Sequence, residues 1–351
     1  MLPRGLLALL AVLLVAGCGS GSRSGADTKG GTSTSALARR LPAAARPALT
    51  PRAADFPAPQ GRSLQKLANS VTPAFQVGLS ASTFVPGATP QRVPFALLDQ
   101  QGRPVYGATA VYVARGPKAP ARGPFLAPGD SLAVAPAFRA KTTDSADIKL
   151  IYRATVPLPK AGRYALLVVT RRGGKLLGGA TSIPAHATKI PARGQKAPII
   201  ATPTLRSARG NVASIDTRLP PSDMHAVSFG DVVGHKPVAL LFSTPALCQS
   251  RVCGPVTDVL METEQRYRGK VDFIHQEIYR DNQVSKGLRP QLAAFDLRTE
   301  PWLFTVDRHG RIAARLEGAF GMAEADAAVR GGAALGVCVA IRDWGPASGG
   351  H

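Results

Sequence analysis

The sequence predicts two folded parts, an all-β sandwich over residues 65–190 followed by an α/β domain over residues 191–345. Short apolar runs separated by Gly and Pro fill the first part, as expected of a sheet protein with short strands. After about Arg193 the pattern changes to strands that alternate with amphipathic helices. The length of 351 residues allows two domains of ordinary size.

The N-terminal segment, residues 1–17, has the pattern of a secretory signal peptide. Arg4 supplies a positive charge, and an apolar run from Leu6 to Ala16 follows it. This run is shorter than the roughly 20 apolar residues that span a bilayer. It ends in Ala16-Gly17-Cys18 and resembles the bacterial lipobox. The resemblance implies cleavage before Cys18 and an anchor of membrane lipid on that cysteine, at the extracytoplasmic face of the cell membrane. The alternative is an ordinary secretory signal with an incidental cysteine.

Residues 18–64 are rich in Gly, Ser, Thr, Ala, Pro and Arg and have no lasting apolar period, which predicts a disordered tether. The net charge of +21 is concentrated in residues 1–192, where Lys and Arg outnumber Asp and Glu by 24 to 6. Such a basic half attracts anionic lipid or wall polymer at short range. A solvated charged surface without a partner is the alternative. Because the protein is exported and its basic residues are scattered, we expect no nucleic-acid binding.

The strands of the sandwich are predicted from five apolar stretches, at 75–79, 93–98, 108–113, 148–156 and 164–169. Asp99–Arg103 predicts a turn, and Arg171–Lys175 predicts a hairpin tip, since its two glycines accept positive φ. Phe84–Gly87, Asp99–Val105 and Leu158–Tyr164 resemble turn segments of exported immunoglobulin-like bacterial domains of the YtkA/FixH type. The resemblance implies an immunoglobulin-like sandwich without catalytic residues or metal ligands.

The second part alternates strands and helices in a definite order. Val238–Phe242 is continuously apolar, as expected of a central strand. A helix with Val256, Val259 and Leu260 on one face follows and stops at Gly269. The remaining predicted elements are a strand at 271–275, a hairpin made of 302–306 and 312–316 around a turn at 307–310, and a last helix from Ala323 that carries Glu324 and Asp326 in its first turn.

This order of elements, with two cysteines between the first buried strand and its helix, resembles the thioredoxin-like superfamily. Gly194–Pro198 is similar to the start of its TlpA-like branch, and Glu300-Pro301 stands before a strand as in the family. The resemblance implies a cis bond before Pro301 and a loop that faces the cysteines. Thr299, Glu300 and Pro301 would then bind the backbone of a substrate.

The cysteine motif departs from the family, because four residues separate Cys248 from Cys253 where the family has two. We favour the register in which Cys253 is the resolving cysteine and Cys248 attacks, since it keeps the helix length. A second register matches Cys253-Gly254-Pro255 to the start of Cys-Gly-Pro-Cys, so that Val256 replaces the second cysteine. The buried acid that assists proton transfer in the family has no counterpart on the strand, where Leu240 and Leu241 stand.

The predicted chemistry is thiol–disulfide exchange with exported proteins, without a cofactor. A thiolate near a helix N-terminus is stabilised by free N–H groups, and the positive charge of Arg251 would tune its pKa further. Two alternatives remain open. One is a non-enzymatic binding or assembly lipoprotein with a structural disulfide. The other is metal binding, for which His275 or His309 could join the cysteines. Cys338 lies in an apolar stretch and is expected to be a buried core cysteine, and residues 346–351 form a tail.

Overall fold

The computed structural model describes residues 34–141, 148–248 and 252–333, which belong to one compact unit. The predicted signal peptide, Cys18, Arg251, Cys338 and the tail lie outside these residues. Within the described ranges, no helix has the length and apolar character needed to cross a membrane.

Thirteen strands and six α-helices make up the described fold. The strands are β1 (Thr72–Pro73), β2 (Gln76–Leu79), β3 (Gln91–Leu98), β4 (Ala108–Ala114), β5 (Arg122–Leu126), β6 (Gly129–Ser131), β7 (Leu150–Val156), β8 (Gly162–Arg172), β9 (Lys175–Ala185), β10 (Val238–Phe242), β11 (Asp272–Gln276), β12 (Trp302–Val306) and β13 (Ile312–Glu317). The α-helices are α1 (Thr34–Arg40), α2 (Leu64–Ala68), α3 (Phe229–Val232), α4 (Cys253–Tyr267), α5 (Pro290–Ala294) and α6 (Met322–Ala333), and 3-10 turns lie at Ala43–Leu49, Ala53–Asp55, Pro136–Phe138, Val212–Ser214, Arg280–Asn282 and Val284–Lys286.

Two sheets enclose the core of the first part. One has the order β1-β9-β8-β4-β5 and the other β2-β3-β7-β6. Only the short β1–β9 pair among these is parallel. Strands of both sheets contribute to one apolar cluster, to which Phe95, Val111, Tyr152 and Val168 belong. All five predicted strands are present, whereas the immunoglobulin-like topology remains a prediction. The predicted strands did not include β1, β5, β6 or β9, because each of these strands contains Gly or Pro and shows no sustained apolar alternation.

Residues 34–64 are folded against the sheets, so the predicted disordered tether is wrong from Thr34 onwards. Leu41, Ala45 and Ala48 are buried in the core of the sandwich. Tyr112 donates a hydrogen bond to the Pro57 carbonyl at 2.6 Å. The segment escaped sequence analysis because small alanines bury little surface individually and its helical turns are too short to show a period.

The second part is built on a sheet with the order β11-β10-β12-β13. β10 and β11 are parallel, and β12 and β13 follow as antiparallel neighbours. α4 connects β10 to β11, α5 lies between β11 and β12, and α6 follows β13. The strands and helices follow one another along the chain as predicted, including the hairpin of β12 and β13. α4 buries Val256, Val259 and Leu260 as predicted, and Gly269 follows its end with φ +78°.

The two parts share an interface with apolar and polar contacts. Ile151 of the sandwich lies in the same apolar cluster as Leu241 and Phe320 of the second part. The Asp130 carboxylate accepts hydrogen bonds from the backbone N–H groups of Ala323 and Glu324 at 3.0 and 2.8 Å. These are unpaired donors of the first turn of α6. The sandwich therefore caps a helix of the second part.

Candidate functional site

The two cysteines stand where the central strand meets its helix. After β10 ends at Phe242, the chain passes through Ser243–Leu247 to Cys248, and Cys253 is the first residue of α4. Both are free thiols. Cys248 is partly exposed and Cys253 is fully buried, and their side chains are hydrogen-bonded to each other. A partly exposed thiol is thus in contact with a buried one, and the roles of attacking and resolving cysteine remain a prediction.

The surroundings of Cys253 favour its protonated form. Burial raises the pKa of this thiol well above its ordinary value, and the hydrogen bond and the charge of Cys248 act in the same direction. A backbone hydrogen bond from Thr244 opposes them without reversing the shift. Cys253 is therefore a poor nucleophile until its surroundings change, because only the thiolate attacks.

The loop before β12 reaches the cysteines through Glu300. The peptide bond between Glu300 and Pro301 is cis, as predicted. Burial raises the pKa of the Glu300 carboxyl, and the negative charge of Cys248 raises it further. The charges of Glu300, Cys248 and Cys253 also add to burial in raising the pKa of Tyr279. Glu300 and Tyr279 thus lie near enough to the thiol pair for their charges to interact.

Thr299 has a different environment from Glu300. Its hydroxyl donates to Glu317 Oε1 at 3.0 Å and accepts from Trp302 Nε1 at 3.1 Å. Glu317 also accepts hydrogen bonds from the backbone N–H groups of Ser82 and Thr83 in the sandwich, at 3.0 and 2.8 Å. The side chain of Thr299 therefore braces the loop, and the carboxylate of Glu317 ties that loop to the sandwich.

A groove of about 700 Å³ lies on the side of the loop that carries Thr299. It is open to solvent, and neither cysteine belongs to its lining. Its walls combine the sandwich and the second part, and the lining residues are Ser82, Thr83, His186, Ala187, Thr188, Lys189, Ile190, Asp296, Arg298 and Thr299.

A buried polar cluster lies at the carboxyl end of β11. Asp216 Oδ2 is 3.0 Å from His225 Nε2 and 3.4 Å from His275 Nδ1. Ser222 Oγ is 2.8 Å from the same oxygen. Burial disfavours the Asp216 carboxylate, but the charge of His275 and hydrogen bonds from both imidazoles outweigh it, so the pKa of Asp216 lies below its ordinary value.

A chain of hydrogen bonds joins this cluster to the cysteine end of α4. His275 Nε2 lies 2.9 Å from Ser243 Oγ, which is 2.9 Å from Thr257 Oγ1. Thr257 in turn donates to the carbonyl of Cys253 at 2.8 Å. The buried polar residues therefore support the backbone that holds Cys253.

A buried ion pair reinforces the same helix. Arg218 Nε and Asp258 Oδ1 are 2.9 Å apart, and both side chains are almost fully buried. Arg218 also donates to the carbonyls of Pro220 and Phe138 at 2.6 and 2.7 Å, and Asp258 accepts from the backbone N–H of Ala140 at 3.1 Å. The pair joins α4 to the loop before α3 and to the segment between β6 and β7 of the sandwich.

Sequence reasoning located the cysteines and the Pro301 loop but missed most of the buried cluster. Asp216, Ser222 and His225 follow no recognisable spacing in the sequence. They form a cluster only in the folded structure, where β11 places His275 beside them. His309, the other histidine considered with the cysteines, lies instead on the exposed turn between β12 and β13. Arg251, the predicted charge beside the thiols, lies outside the described residues.

Comparison with known proteins gives no family for this chain. No protein-family model matches it, and no curated protein is a significant match. Two similar solved structures are a putative thiol:disulfide interchange protein DsbE from Chlorobium tepidum and a thiol:disulfide interchange protein, thioredoxin family protein, from Chlorobium tepidum TLS. The first is 16% identical, covers 40% of this chain and 95% of its own, and has a TM-score of 0.29. The second is 14% identical, covers 40% and 98%, and also has a TM-score of 0.29. The fold assignment rests on the strand order and directions described above.

Proposed function

We propose that this protein is a lipid-anchored, extracytoplasmic thiol–disulfide exchange protein that acts on exported proteins. The observation that carries this proposal is the contact between partly exposed Cys248 and buried Cys253 at the start of α4, beside Glu300. In such an arrangement one sulfur is accessible to a partner, and the second is close enough to attack the mixed disulfide that forms. Exchange through a mixed disulfide requires both.

In the reducing direction the Cys248 thiolate attacks one sulfur of a partner's disulfide. A new S–S bond forms between Cys248 and the partner, the partner's disulfide breaks, and the released thiolate takes up a proton. Cys253 then loses its proton and attacks the sulfur of Cys248, which releases the partner's second thiol. The partner gains two electrons and the Cys248–Cys253 pair becomes a disulfide. The oxidising direction is the reverse of these steps.

The loop of Thr299, Glu300 and Pro301 would hold the backbone of the partner next to Cys248. Pro301 has no N–H to donate, and its carbonyl already accepts the backbone N–H of Gly318 at 2.8 Å, so the backbone groups of Thr299 and Glu300 would contact the partner. Glu300 contributes a carboxyl near the thiols, and burial raises the pKa of that carboxyl, which favours the protonated form that can donate a proton. Thr299 acts through Glu317, which holds the loop in place.

Anchoring and location complete the proposal. A lipid on Cys18 would hold the chain at the outer face of the cell membrane, where thiol pairs in exported proteins are oxidised and exchanged. The basic residues of the N-terminal half would contact anionic lipid or wall polymer. We propose no nucleic-acid partner and no cofactor for the exchange.

Trapping of mixed disulfides tests the exchange reaction. In Cys253→Ser the second step is blocked, so we expect covalent adducts between Cys248 and exported proteins that disappear on reduction. Cys248→Ser is the matched control and should form none, because buried Cys253 cannot reach a partner.

The rate of alkylation gives a second test. In the reduced wild-type chain one thiol should alkylate quickly at about pH 6, well below the free-cysteine pKa of roughly 8.5, and Arg251→Ala should slow this alkylation. No adducts, together with ordinary thiol reactivity, would leave a structural disulfide as the function of the pair.

The anchor has its own test. Cys18→Ser should abolish incorporation of labelled fatty acid and move the protein from the detergent phase to the aqueous phase, since two or three acyl chains provide firm membrane binding. Cys338→Ser is the control and should behave like wild type. If Cys18→Ser partitions with wild type, the lipobox interpretation is wrong.

A further inference from the structure

The buried cluster on β11 has the composition and spacing of a metal centre. We propose that Asp216, His225 and His275 bind one divalent transition-metal ion, with Zn²⁺ the best match, and that Ser222 or a water supplies the fourth ligand. The site is separate from the thiol chemistry, because it involves no sulfur and none of its side chains is accessible to a partner.

The distances between the proposed ligand atoms fit a tetrahedral ion. Ligands bonded to Zn²⁺ at about 2.0–2.1 Å in a tetrahedron lie roughly 3.3 Å from one another. Asp216 Oδ2 is 3.0 Å from His225 Nε2 and 3.4 Å from His275 Nδ1. Ser222 Oγ is 3.3 and 3.4 Å from the same two nitrogens and 2.8 Å from the carboxylate oxygen. All three Asp and His ligand atoms lie within 4.8 Å of one another.

Hydrogen bonding alone does not explain why so many polar groups surround Asp216 Oδ2. Asp216 Oδ2 faces the backbone N–H of Ser222 at 2.7 Å in addition to the Ser222 hydroxyl and the two imidazoles. Four donors on one carboxylate oxygen exceed its roughly two lone-pair positions. A cation between the oxygen and the two nitrogens would instead accept a lone pair from each of them.

The surroundings orient two of the three ligands, His275 and Asp216, whereas Nδ1 of His225 has no hydrogen-bond partner among the described residues. A ligating histidine usually donates its other N–H to a carbonyl or carboxylate. His275 Nε2 lies 3.1 Å from the Ser243 carbonyl, which leaves Nδ1 free to ligate. The second oxygen of Asp216, Oδ1, accepts the backbone N–H of Arg218 at 2.8 Å, which fixes the direction of Oδ2.

Charge and burial also agree with a bound dication. The side chains of Asp216, His225 and His275 are almost fully buried, and burying an uncompensated charge is costly. Glu277 lies near enough to interact with the charge of both imidazoles, and its Oε2 has no hydrogen-bond partner among the described residues. The two carboxylates together would neutralise a 2+ ion, with both histidines uncharged.

Metal analysis of the full-length chain tests the site. Cys248 and Cys253 are changed to Ser so that neither thiol can bind the ion, and the protein is stripped with a chelator and titrated with ZnCl₂. We expect about one Zn²⁺ per chain and a rise of several degrees in Tm, since a ligand that binds only the native state stabilises it. His225→Gln and Asp216→Asn should each lose the ion, and the exposed control His309→Gln should keep it.

Titration with CoCl₂ distinguishes the ligand sets and does not depend on the folding of the variants. A His/Asp tetrahedral site gives visible d–d bands without the intense near-ultraviolet absorption of thiolate ligation. Stoichiometric binding with d–d bands alone supports the proposal. The proposal is wrong if the stripped chain takes up no Zn²⁺ or Co²⁺ and its Tm does not change, because a proton shared between His275 and Asp216 would then hold the cluster together. Thiolate absorption would also overturn it, by assigning the ion to the remaining cysteines.

Discussion

The two halves of this protein have cores of different character. The core between the two sheets of the first half is apolar, and its few buried polar residues, such as Thr109 and Thr170, bond to one another or to nearby backbone. The core of the second half also buries charged residues, among them Asp216, Arg218 and Asp258. Burial of charge destabilises a fold unless every group is paired. Because the second half buries so many charged residues, we expect the functional site in that half.

The contrast extends to how the halves are joined. Glu317 and Asp130 each accept several hydrogen bonds across the boundary, so the sandwich holds both the loop of Thr299 and the start of α6. The first half therefore acts as a support for the second. Substitutions that alter the charged core, the boundary or the edge of α4 should have effects of decreasing size.

The largest effect is expected from Asp258→Ala. This change leaves Arg218 buried without its partner, and removing one member of a buried ion pair typically costs about 3–5 kcal/mol in the free energy of unfolding. Denaturant unfolding followed by circular dichroism measures the loss. The matched control in the sandwich is Arg103→Ala, which breaks the exposed pair with Asp99 and should leave stability nearly unchanged, because solvent screens exposed charges. Equal losses for the two variants would contradict the distinction between the halves.

An intermediate effect is expected from Glu317→Gln at the boundary. The neutral amide weakens the charge-assisted hydrogen bonds that Ser82, Thr83 and Thr299 donate to Glu317. One such bond contributes about 1.5–3 kcal/mol to the free energy of unfolding. We expect a net loss of about 1.5–3 kcal/mol, and fewer mixed disulfides when the change is combined with Cys253→Ser, because the loop loses its brace. Asp231→Asn, which alters an exposed carboxylate on α3, is the control. Unchanged trapping would show that the loop does not need the sandwich.

The smallest effect is expected at Glu264 on α4. Burial raises the pKa of its carboxyl to about 7, and the neighbouring Asp223 contributes to the same shift. The folded state therefore binds a proton that the unfolded chain, with a pKa of about 4.3, has already released. Stability should fall as pH rises from about 4 to 7, and Glu264→Gln should remove this dependence.

Thermal unfolding at several pH values tests this expectation. At about pH 8 the Glu264→Gln variant should be more stable than wild type by on the order of 1 kcal/mol, after allowance for the partial exposure of the group. Below about pH 4 the two should agree, because the wild-type carboxyl is then protonated in both states. Gln265→Ala, at the exposed neighbouring position of the same helix, is the control and should leave the pH dependence of wild type unchanged. A difference that stays constant with pH would assign the effect to packing and not to charge.

The sequence by itself determined the elements whose signals are local. The apolar run of β10, the one-sided pattern of α4, the glycine after its end and the turn at Asp307–Gly310 each depend on residues close in the chain. The position of Cys253 at the start of a helix followed from the order of elements, and the cis bond before Pro301 was what the thioredoxin-like resemblance implied.

Only the tertiary structure decided which distant residues meet. Asp216 and His225 come from one loop and His275 from a strand, and Arg218 pairs with Asp258 of α4. Single polar residues at these positions carry no periodicity, and their partners are chosen by sheet pairing and by the burial that follows it. The folding of residues 34–64 has the same explanation, because small alanines become core residues only when a finished sheet covers them.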